Sequence, residues 1–120
     1  MSEHFFFYAA LAFILMHEMD AVRCREWRIF PGLSLLPDAL GFKVFMAAHI
    51  PLFMWLFHAL AQETGRAPLI FGLDVFFMVH FGLHVLFLWH PKNEFKDWVS
   101  WGIIVGAGLG GGVDLVMLSF

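Results

Sequence analysis

Four stretches of about twenty predominantly apolar residues, approximately Glu3–Val22, Gly41–Ala61, Pro68–His90 and Trp98–Phe120, take up most of the chain. Each is long enough to cross the hydrocarbon core of a bilayer as a helix. Between them lie "RCREWRIFPGLSLLPDAL", "QETGR" and "PKNEFKD", which carry the charges, prolines and turn formers expected of connections. Hydrophobic residues make up 61% of the sequence and charged ones 14%, against roughly 45–50% and about 25% in soluble domains. A chain of 120 residues with 16 phenylalanines leaves too large a fraction of its area exposed to hide that surface from water. The expected fold is therefore all-α, an integral membrane bundle of four transmembrane helices forming one domain over residues 1–120, with lipid as its main partner.

The first apolar run has no early Lys or Arg and no small-residue cleavage site, so it reads as a retained span rather than a secretory signal. Arg23, Arg25, Arg28, Lys43, Lys92 and Lys96 fall on the side of the first and third loops, and Arg66 is alone on the other. The positive-inside tendency then places those two loops in the cytoplasm and both termini outside. Trp27, Phe30, Trp89, Trp98 and Trp101 suit the cytoplasmic interface as anchors. The single Cys24 excludes an internal disulfide and fits a reducing compartment. The net charge of −3 points to no particular partner, and no basic patch with interleaved aromatics suggests nucleic acid.

Two further features of the spans shape expectations. Pro68 suits the first turn of the third helix, whereas Pro51, in mid-span, is expected to kink the second helix near His49. In the fourth span Gly102, Gly106 and Gly110 recur at four-residue spacing, with Gly108 and Gly112 in a second register. Such smooth faces allow close helix approach in lipid, either within the chain or across a homo-oligomer seam.

Ionisable side chains inside a span are costly and mark candidate sites, with the proviso that those near helix ends can reach water. At about 1.5 Å per helical residue, His17, Glu18, His49, His80 and His84 form one layer roughly 6–16 Å below the cytoplasmic boundary, contributed by three helices. His80 and His84 in "HFGLH" lie one above the other on a helical face and can ligate one metal ion. His17, His49, His80 and His84 are the candidate metal ligands. Glu18 and Asp20 are candidate general bases, although Asp20, like His90, is shallow, and only one of the two faces of the first helix can point fully inward. Imidazole with carboxylate suits a transition metal, zinc or iron foremost. Arg23, Arg25 and Arg28 beside this layer can set topology or hold an anionic headgroup or phosphate.

Toward the outer side, His58, Asp74 and Asp114 fall at nearly one depth on the second, third and fourth spans, a candidate proton or ion pathway. Three functions are compatible with these layers: a metal-dependent enzyme acting on a membrane-soluble substrate, a haem-binding electron carrier with His49 and His80 as the axial pair, and a proton or metal-ion transporter.

The run "MHEMDAVRCREWRIFPGL", with its HExDA pattern at His17–Ala21, followed later by "HIPL", resembles a family of small bacterial four-span membrane proteins with no established function. The resemblance covers about the first half of the chain. It implies a bacterial inner membrane and transfers no activity. "HFGLH" is also similar to the HxxxH boxes of membrane di-iron desaturases and hydroxylases, but their paired HxxHH boxes are missing, so that chemistry is not carried over.

Overall fold

A computed structural model describes residues 4–119. Helices α1 (Phe5–Arg23), α2 (Asp38–Ala61), α3 (Arg66–Phe87) and α4 (Trp98–Leu118) contain nearly all of the chain's regular structure. Each is long and apolar enough to cross a membrane. In lipid the backbone must satisfy its own hydrogen bonds, and continuous helices do so. The protein is thus an all-α four-helix membrane protein. Helix α2 begins at Asp38 rather than Gly41, and α3 covers Arg66–Phe87 rather than 68–90. Helix α2 runs unbroken through Pro51.

Three helices form the core. The buried residues of α1 include Phe7, Ala10, Ile14, His17 and Asp20; those of α3 are Ile70, Asp74, Phe77, His80 and His84; those of α4 are Ser100, Ile104, Ala107, Gly111 and Asp114. These positions recur every three or four residues and so define one stripe per helix. Almost every ionisable group of α1, α3 and α4 that is not at a helix end lies on its stripe. Mid-bundle, Phe7 and Phe77 stack with ring centroids 5.9 Å apart and pack with Ile14, Ile70 and Ala107 into an apolar plug.

Glycines decide how closely α4 approaches its neighbours. A Cβ on Gly110 would lie 2.8 Å from Ala10 Cβ and 3.0 Å from the Phe6 carbonyl oxygen. On Gly111 it would lie 2.9 Å from the Asp74 carbonyl oxygen, on Gly106 2.9 Å from the Phe13 ring and on Gly108 2.9 Å from Phe81 Cβ. Gly102 meets nothing within 4 Å. Four of the glycines are therefore used inside the chain. Gly110→Ala and Gly111→Ala, which press on backbone, are expected to destabilise the protein by about 1–3 kcal/mol through overpacking. Gly102→Ala is expected to be neutral or slightly stabilising, because it only adds helix propensity. Thermal unfolding in detergent checks the order.

Helix α2 stands apart. It buries only Gly41, Phe45 and Leu56 and meets the rest at separate points: Gly41 and Phe45 against Trp27, His49 against Glu18, and Leu56 in the cluster with Ile70. Ile50, Leu52, Met54, Trp55 and Phe57 are exposed. A helix apolar on all sides needs lipid or a neighbour around it.

Candidate metal centre

The chain after α1 does not simply leave the bundle. Cys24 closes the helix by donating its backbone N–H to the Asp20 carbonyl, and Arg25 adopts a left-handed conformation, φ 52°. A non-glycine residue there reverses the chain's course at a modest steric cost. The short 3-10 turn Glu26–Arg28 that follows is folded back under the helices. Glu26, only 5% exposed, is thereby delivered to His17.

His17 Nε2 lies 3.1 Å from Glu26 Oε2 and 3.1 Å from His80 Nε2. His84 Nε2 lies 3.2 Å from His80 Nε2 and 3.9 Å from Glu26 Oε2. The three rings are in mutual contact, with centroids 4.5, 4.7 and 4.5 Å apart. His17, His80 and His84 are 0%, 9% and 1% exposed. Their ligating atoms all lie within 4.8 Å of one another. A metal about 2.0–2.1 Å from each nitrogen in a tetrahedral arrangement needs nitrogen separations of about 3.3–3.4 Å. The observed 3.1 and 3.2 Å fall just inside that value. The three buried histidines can therefore hold a metal ion, with Glu26 as an adjacent anion.

The connection between α3 and α4 covers the cluster. Phe95, fully buried, stacks on His17 at 5.3 Å and meets His84 edge-on at 4.7 Å. Its own backbone is fixed at both ends: its N–H donates to Asn93 Oδ1 at 3.1 Å, and its carbonyl accepts from Trp101 Nε1 at 2.8 Å. Phe76 and Phe87 flank His80 and His84. The site is buried and closed on the side of the basic loops.

Other candidate residues are placed differently. His49 does not join the three histidines. One of its ring nitrogens pairs with Glu18 Oε2 and the other lies against the Phe45 carbonyl oxygen at 2.6 Å. Its depth is right, but its ring is turned to Glu18 on α1 rather than to the imidazoles of α3. The Glu18–His49 pair sits in the wall of a groove of about 170 Å³ between α1 and α2. Leu15, Met19 and Val22 line one side, and Phe45, Met46 and Phe53 the other.

Asp20 accepts from Arg23 Nε at 2.7 Å and from the Ser100 hydroxyl, tying α1 to α4. It faces the bundle, away from the imidazoles' partner Glu26. The three arginines are each set against carboxylates. Arg23 also reaches Asp97 at 3.0 Å, Arg25 grips Glu94 through two bonds of 3.0 and 2.8 Å, and Arg28 reaches Asp38 at 2.8 Å. They fasten the loops that enclose the cluster, and an anionic headgroup would have to compete with these pairs. Asp97 caps α4, and its bond from the Ser100 backbone N–H holds its carboxyl below the usual range. Cys24, buried beside Asp20, has its thiol pushed up to about 11 by burial and then by that carboxylate. It is a neutral thiol, unsuited to act as a ligand without losing its proton.

At the far end, Asp74 and Asp114 are buried, but His58 is exposed and has no part in their pairing. His4, at the start of α1, takes the position next to Asp114 at 3.5 Å.

Glu26 and His4 are the residues that sequence reasoning missed. The depth count that grouped the other histidines would also have put His4 level with Asp114. Glu26 lay in a segment read as loop, and only the positive φ at Arg25, invisible in the sequence, brings it back.

The fold and this cluster define a small four-helix membrane protein with a buried imidazole site able to hold a metal. The family model of DUF6713, a family of unknown function, matches residues 3–120, and the chain belongs to that family. No curated protein and no solved structure matches it.

Proposed function

We propose that this protein is an integral membrane metalloprotein that holds one zinc or iron ion on His17, His80 and His84, and that the loaded centre acts on a membrane-soluble molecule. The observation that carries the reading is the convergence of three Nε2 atoms from two helices on one point, with a carboxylate beside them. Three imidazoles leave the fourth position of a tetrahedral ion open, as catalytic zinc sites do. Glu26, rather than Glu18 or Asp20, is the carboxylate placed to take a proton there. Because Phe95 closes the basic end, the groove between α1 and α2, with the Glu18–His49 pair in its wall, is the approach that favours a lipophilic substrate.

Haem is less well served. Imidazoles in contact leave no slot for a porphyrin, and both ring nitrogens of His49 are engaged. Transport through both polar layers would have to cross the plug of Phe7 and Phe77. A bacterial inner membrane, both termini outside and the basic loops in the cytoplasm fit the charge distribution. A homo-oligomer would use the face of α4 that stays open at Gly102, Leu109 and Val113.

Elemental analysis of protein purified in mild detergent tests the reading. One zinc or iron per chain, in a preparation without a haem absorption band, is expected. Metal-free protein that takes up neither ion on titration would overturn it.

A further inference from the structure

Asp74 is fully buried, and neither of its carboxyl oxygens meets a donor among the described residues. On the facing helix α4 stands another acid, Asp114, 2% exposed. Their juxtaposition is built into the backbone. Gly111 lies against the Asp74 carbonyl oxygen so closely that a Cβ would come within 2.9 Å of it. Asp114, three residues on, shares the buried stripe of Gly111. Two acceptors held together in a buried interior have no bond to make unless something positive sits between them. Like charges side by side in such a setting repel strongly, and a proton between them relieves that repulsion.

We infer that Asp74 and Asp114 form a second binding site, separate from the histidine cluster, whose ligand is a single exchangeable proton reached through His4. In the bound state one carboxyl O–H donates to the other carboxylate, which gives one of the open oxygens on Asp74 a partner. His4 Nδ1, 3.5 Å from Asp114 Oδ2 and with its side chain 18% exposed, connects the pair to the far aqueous face. On release, the O–H bond breaks, the proton passes to His4 Nδ1, and His4 gives up a proton to water. Among the described residues, the ionisable group that faces the pair of Asp74 from α3 and Asp114 from α4 is His4, at the start of α1. From α2 none does: His58 is exposed. Tyr8 is also exposed, and Arg66 is turned onto the carbonyls of Gln62 and Ala61. Asp74 is about 9 Å along α3 from His80, with Phe77 on the stripe between them. The outer polar layer is therefore a proton station of its own rather than the mouth of a path to the histidines.

Infrared spectroscopy of the wild-type protein in lipid, with and without 13C-labelled aspartate, tests this directly. The expected result is a protonated-carboxyl C=O band at neutral pH that shifts with the label. It should vanish in Asp74→Asn, where Asp114 is left beside an amide, and disappear at a different pH in His4→Gln. Absence of any such band in the wild type would overturn the inference without recourse to a variant. So would a band that appears only when sodium and potassium are replaced by choline, which would make the ligand a metal cation. A band that persists unchanged in Asp74→Asn and Asp114→Asn would also overturn it.

Discussion

Replacing His80 and His84 together by alanine is expected to bring bound metal from one ion per chain to background. Two of three imidazoles are lost, and the remaining donors, His17 and Glu26, cannot enclose an ion. A companion change separates ligands from neighbours. Glu26→Gln keeps the shape of the side chain that bonds His17 but removes its charge, and such outer partners typically contribute 10–100-fold in affinity. His49→Ala and Glu18→Gln, by contrast, should leave metal content unchanged, because the two side chains pair with each other and their groove is not lined by the three histidines. Metal that binds the folded chain alone stabilises it, by about 2.7 kcal/mol at a hundredfold excess over Kd. The double histidine variant should lose that increment while keeping its helical signal. Metal content by elemental analysis and the metal-dependent shift in Tm read the two effects.

Phe95→Ala is expected to have the second large effect. The ring is fully buried and braced against His17 and His84. Truncation of a buried phenylalanine costs about 3–5 kcal/mol, through lost contacts and the cavity left behind. Here the cavity opens onto the imidazoles from the side of the basic loops. Two readouts should therefore move together: Tm falls, and a water-soluble chelator strips the metal faster at a temperature where the variant remains folded. Phe95→Leu, which refills much of the space, should restore most of the stability and slow the chelator again. A stability loss with no change in stripping rate would mean that Phe95 packs the loop without covering the site.

The architecture was readable from the sequence because lipid imposes so much. A span must be apolar and helical, so composition and length alone yield four helices within a few residues of their observed ends. Depth was readable too, since axial rise per residue is constant. It grouped His17 with His80 and His84, and Asp74 with Asp114. Depth says nothing about azimuth or about which helices touch, and the site assignments departed from the structure on both counts. His49 has the right height but belongs to a helix that the core does not enclose. His58 fails for the same reason, and His4 on α1 stands in its place. The buried stripes were a signal that went unused: polar residues of α1, α3 and α4 fall in register with small and apolar partners three and four positions away, whereas α2 has large apolar side chains all round. The glycines of α4 at Gly110 and Gly111 then explain why α1 and α3 are the helices drawn against α4. Glu26 had no sequence signal of this kind, because its position depends on a left-handed residue in an arginine-rich turn.

X-ray absorption at the edge of the bound metal tests the shared centre most directly, since it reports the donor atoms around the ion. A first shell of three imidazole nitrogens with at least one oxygen, and loss of the imidazole scattering in the His80→Ala and His84→Ala double variant, is the expected result. A shell of oxygen donors alone, or an imidazole signal unchanged in that variant, would contradict the account.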